Sequence, residues 1–228
     1  MPSTAVKRRA LLSRLLALPG VYRPQADTEL LGDELGREDL GVTTEVLEIG
    51  TGTGAVALSA AARGARVTAV DVSRRAVFTA RLNALRHGLP LRVLHGDFMA
   101  CTQGRRFDVV VTNPPYVPSP SARVPSSGPE RAWDAGPDGR AVIDRICESA
   151  PFILRPGGVL LMVHSVMCDP ERTLKRLAQA GLPAQVTAKA SVPWGPVLHS
   201  RRPWLQKQGF SEAGEEREGL VVIRAQAI

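Results

Sequence analysis

Short runs of apolar, often β-branched residues alternate along most of this chain with stretches whose apolar positions recur every three or four residues. The runs at 46–49, 67–70, 91–94, 107–112 and 158–164 predict buried strands, and the stretches at 53–63, 73–87, 140–154 and 169–181 predict helices. Gly64 closes the first of these helices. Ser73 is placed to cap the second, and Gly88 to stop it. Upstream, Leu30, Leu31 and Leu35 mark a short amphipathic helix over 27–40, with Gly41 after it. Residues 1–20 predict a basic helix that ends at Pro19-Gly20 and docks on the domain. Strands alternating with helices imply a parallel sheet covered on both faces.

Two further strands are expected at 184–192 and 219–226. Between them 193–218 reads as a long loop carrying Trp194, Arg201, Arg202 and Trp204, too direct a connection for two parallel strands, so the last strand should run antiparallel. The expected fold is α/β and Rossmann-like, a seven-stranded, mostly parallel sheet whose last strand is antiparallel. A single domain over 1–228 is expected, with 1–40 as a helical extension. The loops at 117–139, rich in Pro, Ser and Gly, and at 193–218 are expected on the substrate side.

Composition narrows the class. The chain has 228 residues, 44% of them apolar, enough for a buried core. No window approaches eighteen unbroken apolar residues, so no membrane span is expected. Arg14 interrupts the N-terminal leucines and no small-x-small site follows, which argues against a signal peptide. Cys101, Cys147 and Cys168 are widely spaced, and His87, His95, His164 and His199 show no ligand spacing. Neither a disulfide framework nor a metal site is expected, and the cysteine usage fits a reducing cytoplasm. The formal charge is +7, but only four of the 29 basic residues are lysine. That skew toward arginine looks like codon composition, so the charge adds little weight to a nucleic-acid partner.

The chemistry gathers at strand ends, where ligands sit in such sheets. Glu48-Ile49-Gly50-Thr51-Gly52-Thr53-Gly54 is a strand end running into a glycine turn and a helix. Gly50, Gly52 and Ala55 satisfy a loose dinucleotide pattern, yet a carboxylate at Glu48 suits an ammonium better than a pyrophosphate. Asp71, 21 residues after Gly50, ends the next strand and can grip a ribose through both hydroxyls, with Val72 beside it. Asp97 and Phe98 follow the third strand, an acceptor and an apolar wall for an adenine.

The most specific element is Asn113-Pro114-Pro115-Tyr116, straight after the fourth strand. The prolines fix φ and restrict their neighbours, so the segment is stiff. An amide or arylamine nitrogen is a poor nucleophile because its lone pair is delocalised. The Asn113 oxygen and a proline carbonyl can each accept one N–H of such an –NH₂, and Tyr116 can stack on the planar group. Positioning then supplies most of the rate.

Together with Ala80-Arg81-Leu82-Asn83-Ala84 and Gly96-Asp97, these motifs resemble the HemK family of N5-glutamine methyltransferases, from about Val21 to about Leu182. Val21-Tyr22-x-Pro24-x-x-Asp27-Thr28 is similar to that family's lead into its cofactor site. The segment 130–140, with Ala132-Trp133 and Gly139-Arg140, is closer to the short eukaryotic and archaeal branch. The resemblance implies a class I methyltransferase that uses S-adenosylmethionine. Thr28, Glu48, Gly50, Thr51, Gly52, Gly54, Asp71, Val72, Asp97, Phe98 and Asn113 would then hold the cofactor, and Asn113, Pro114 and Tyr116 the acceptor. It further implies a glutamine in the Gly-Gly-Gln segment of a peptide-chain release factor as acceptor, and a small zinc-binding activator subunit on the edge strand 91–94. Two features depart from the family. Only about twenty residues precede Val21, and the loop around Arg201 and Trp204 is long for the short branch. Two rivals share the motif: an N6-adenine methyltransferase acting on RNA or DNA, and a small-molecule methyltransferase with Trp133, Trp194 and Trp204 lining an apolar pocket.

Overall fold

A computed structural model of the protein describes residues 13–228. Seven strands form one sheet in the order β3-β2-β1-β4-β5-β7-β6. They are β1 (Glu45–Ile49), β2 (Arg66–Asp71), β3 (Arg92–His95), β4 (Phe107–Thr112), β5 (Leu154–Ser165), β6 (Ala184–Pro193) and β7 (Arg217–Gln226). β1 to β5 pair in parallel, and β7 runs antiparallel to both β5 and β6. Strand order reverses at β1, which pairs β2 on one side and β4 on the other. Ile49 and Thr112 are register partners, so the turns after these two strands leave the sheet side by side.

Helices α1 (Ala26–Leu35), α2 (Ala55–Ala61) and α3 (Arg74–His87) precede the short α4 (Phe98–Cys101). α5 (Ala141–Ile153), α6 (Pro170–Gln179) and α7 (Pro196–Lys207) follow. The period-two alternation of β4 distributes its side chains between two apolar layers. Val109 and Val111 join Leu31, Leu35, Val56, Ala60 and Val77 in one, which α1, α2 and α3 cover. Val110 joins Ile143, Ile146, Leu177 and Leu205 in the other, under α5, α6 and α7. α3 is capped as its sequence implies: Ser73 Oγ accepts from Ala76 N, and Gly88 closes the helix with φ +61°.

Three expectations change. The segment 193–218 is not a loop, because α7 occupies its middle. Pro196 suits a first helical turn, and Leu198 and Leu205, two turns apart, bury one face. Pro203, inside the helix, hides that pattern in the sequence. Residues 15–18 are not helical: Asn83, fully buried on α3, donates to Leu16 O at 2.9 Å and accepts from Leu16 N at 2.9 Å, so this backbone is satisfied by a side chain. The rest of the expected N-terminal helix, 1–12, lies outside the described residues. α1 ends at Leu35 rather than near 40. Among the described residues no helix is long and apolar enough to cross a membrane. No group of three or more metal-ligating side chains occurs among them either, and all three cysteines are free.

Candidate active site

The turn after β1 runs through Gly50, Gly52 and Gly54 with φ of +73°, +53° and +82°, a backbone path that L side chains rarely take. Gly54 also permits close helix packing: a Cβ there would stand 3.2 Å from Ala80 Cβ on α3. Glu48 lies buried beneath the turn. Its Oε2 accepts from the Thr51 hydroxyl and from Ala57 N at 3.1 Å, which caps α2 where Gly54 has no side chain to do so. Burial pushes the Glu48 carboxyl up to about 8 despite those two bonds.

Asp71 ends β2. Its Oδ2 accepts from Gly52 N at 2.9 Å and its Oδ1 from Ser73 N at 2.8 Å. The carboxylate therefore ties the glycine turn to the start of α3. Burial raises its pKa, while these backbone donors and Arg131 pull it back. Val72 is exposed beside it.

The third wall comes from α1 and the turn after β4. Asp27 is buried, and its Oδ2 receives three donors: Asn113 Nδ2 at 2.9 Å, Tyr22 Oη at 2.8 Å and Tyr116 Oη at 3.1 Å. Its Oδ1 accepts from Thr28 N at 2.6 Å and from Thr28 Oγ1 at 3.2 Å. Burial, and then the Asp27 charge, drive both phenols up and keep them as neutral donors. An amide has one donor end and one acceptor end. Because Nδ2 faces Asp27, Oδ1 is the end left to accept.

A cleft joins these walls. Of the residues singled out in the sequence, Thr28, Glu48, Gly50, Thr51, Gly52, Asp71, Val72, Asn113, Pro114 and Tyr116 line it. Gly54, Asp97 and Phe98 do not. Asp97 caps α4, accepting from Met99 N and Ala100 N through Oδ1, and pairs with Arg145 at 2.6 Å through Oδ2. Phe98 is buried in the core, with the Arg145 guanidinium 4.9 Å from its ring centroid. Of the three tryptophans only Trp133 lines the cleft; Trp194 is buried in the core and Trp204 packs against Phe210, ring centroids 5.9 Å apart. Asp27 received no role from the sequence. Its signal was present in the lead segment, but its partners stand 86 and 89 residues away.

Residues 13–124 match the family model described as the methyltransferase small domain. The chain is 33% identical over 181 residues to a putative protein N5-glutamine methyltransferase of Methanocaldococcus jannaschii, covering 79% of this chain and 90% of that one. This chain belongs to the HemK family of class I methyltransferases. A release factor glutamine methyltransferase of Moorella thermoacetica is 39% identical over 173 residues, 71% of the HemK-family chain described here and 60% of that relative. The E. cuniculi Mtq2–Trm112 complex, responsible for methylation of the eRF1 translation termination factor, contains a chain of the same fold. Its TM-score is 0.64 at 24% identity, covering 92% of this chain and 99% of that one. As a HemK-family enzyme the protein is an S-adenosylmethionine-dependent N-methyltransferase. Its cleft suits such a ligand: the glycine turn permits close backbone approach, and the buried Glu48 and half-buried Asp71 carboxylates line it.

Proposed function

We propose that this enzyme methylates the side-chain amide nitrogen of a protein glutamine, of the Gly-Gly-Gln kind carried by peptide-chain release factors. The observation that supports it best is the Asn113–Asp27 hydrogen bond, which holds the asparagine oxygen free for an acceptor N–H. The names of the relatives point to the same substrate. Asn113 Oδ1 takes one amide N–H and the Pro114 carbonyl takes the other, so the nitrogen cannot rotate away and its lone pair is aimed across the cleft. S-adenosylmethionine, when bound, would supply the electrophilic methyl: the sulfonium would leave as its neutral thioether, and the methylated amide nitrogen would give up one proton to solvent. Tyr116, tethered by its hydroxyl to Asp27, holds its ring as a wall on which the planar amide stacks. Asp71 takes the ribose hydroxyls, Glu48 faces the ammonium, and the turn of Gly50, Thr51 and Gly52, with Thr28 and Val72, closes around the rest.

A small activator subunit is proposed on the outer edge of β3, whose inner edge alone is paired in the sheet. A partner strand there would cover open backbone groups. The test is transfer of radiolabelled methyl from S-adenosylmethionine to a purified release factor, with and without a candidate activator. Label that disappears when the Gly-Gly-Gln glutamine is changed to alanine supports the assignment. Label found instead in RNA, DNA or small molecules overturns it.

A further inference from the structure

A second cleft opens beside the catalytic one and shares Tyr22, Asp27, Tyr116 and Trp133 with it. Its other wall is the end of β6 and the start of α7, lined by Val192, Pro196 and Leu198. Glu218, at the start of β7, also lines it. That side chain is only 8% exposed, and its Oε1 has no hydrogen-bond partner. Ser165 hydrogen-bonds the carboxyl, and burial pushes it up to about 7. An orphaned carboxylate oxygen in an apolar cleft is costly to the free protein, so it needs a reason to be there.

The polarity of the cleft restricts what can relieve it. The two carboxylates, Asp27 and Glu218, are acceptors, and the two phenol hydroxyls are spent on Asp27. A phosphodiester would meet negative charge in an apolar setting. A peptide brings N–H donors between uncharged groups, and the walls are aliphatic and proline-rich. We propose that this cleft seats the peptide that flanks the methylated residue, and that Glu218 Oε1 accepts a main-chain N–H from it. The proposal rests on the protein-glutamine assignment above, and makes Glu218 a specificity residue rather than a catalytic one.

The test compares Glu218→Leu and Glu218→Gln in the full chain, against a Gly-Gly-Gln release factor and against N-acetylglutamine amide, which is too short to fill the second cleft. Glu218→Leu should raise KM for the protein at least about tenfold with kcat within about threefold, and leave the small amide unaffected. Glu218→Gln, which keeps an oxygen acceptor, should recover most of that loss. Glu218→Gln keeps a partner for Ser165 and should hold the wild-type melting temperature, so it, rather than Glu218→Leu, which also loses the Ser165 bond, is the control for a structural role. A falling melting temperature in both variants would mark Glu218 as a structural contact and overturn the proposal, as would an unmoved KM for the protein. Failure of the wild type to label glutamine at all overturns the glutamine assignment first. Label on the release factor with an unmoved KM overturns the subsite alone.

Discussion

Asp27 Oδ2 stands 2.9 Å from Asn113 Nδ2, and this contact decides which end of the asparagine amide faces the acceptor. The same oxygen gathers Tyr22 and Tyr116, so one carboxylate on α1 sets the orientation of the whole acceptor wall. Asp27→Asn offers a single amide oxygen to three donors and presents an N–H where an acceptor stood. Turnover should fall about a hundredfold, the order expected when reacting groups are misplaced by an ångström. Cofactor affinity should change less than turnover, since Asp71 and the glycine turn are untouched and only Thr28, which Asp27 Oδ1 holds, is disturbed. Steady-state kinetics beside calorimetric binding of S-adenosylmethionine checks both halves, and unchanged kcat would remove Asp27 from the mechanism.

Asn113→Ala takes away the acceptor itself. Methyl transfer should be lost, while the affinity for S-adenosylmethionine stays within about tenfold, or about 1.4 kcal/mol. Asn113 donates a single bond, to Asp27, so the fold should survive. Single-turnover assays on the folded variant decide the matter: measurable methylation at the wild-type rate would move the chemistry elsewhere in the cleft.

Asp71→Ala is expected to behave in the opposite way. The carboxylate anchors Gly52 N and Ser73 N in the free enzyme and retains lone pairs for two ribose hydroxyls. Its loss should weaken cofactor binding by about 1.5–3 kcal/mol, the range for hydrogen bonds to a charged group. At saturating cofactor kcat should recover. Calorimetry showing the wild-type Kd would take Asp71 out of the site.

How far these roles could be seen beforehand depends on sequence distance. The glycine turn, Asp71 and Asn113-Pro114-Pro115-Tyr116 are local patterns at strand ends, and each strand announces itself by a short apolar run. Asp27 is different, because its meaning comes from partners 86 and 89 residues away, which no local pattern reports. Glu218 sits in Glu215-Glu216-Arg217-Glu218, which has the look of a solvated charged turn, and only strand pairing buries it. α7 was hidden by Pro203, although Gly195-Pro196 is a good helix start. Asp97 shows the converse: a motif at the right strand end whose carboxylate caps α4, pairs with Arg145 and lies outside the lining of the cleft.

Glu48 should make cofactor binding depend on pH. Its carboxyl is raised from an ordinary 4.5 to about 8 in the folded enzyme, chiefly by burial. The folded state then holds a proton that the unfolded chain releases. By linkage this group's contribution to stability is full below about 4.5 and is lost as pH rises through about 8. A ligand ammonium favours the ionised form, so binding expels the proton. Affinity should therefore tighten as pH rises toward 8, by up to about tenfold per unit, and level off above it. Glu48→Gln keeps an acceptor for Thr51 and Ala57 and should flatten the profile; an identical slope in the variant would assign the proton to another group.

Arg201 connects α7 to the acceptor side. Its Nη2 pairs with Asp134 Oδ1 at 2.6 Å and its Nη1 donates to Pro118 O at 3.0 Å, which pins both arms of the 117–139 loop to the helix. Asp134 also accepts from Ser119 Oγ at 3.1 Å, and Val117 bridges to Asp134 along the backbone. Neighbouring Trp133 lines both clefts, so the pin holds one of their shared walls. Arg201→Ala leaves Asp134 buried without its cation. Arg201 itself keeps some solvent, so the cost should fall below that of a fully buried pair, at about 2 kcal/mol. For a chain of this size that is a drop of about 4–8 °C in melting temperature. The loop should become more open to limited proteolysis and KM for the protein acceptor should rise, with a smaller weakening of cofactor Kd, because Arg131 and Trp133 of this loop line the first cleft while the glycine turn and Asp71 rest on other elements. Equal proteolysis rates with an unchanged acceptor KM would mean that the loop keeps its place without α7.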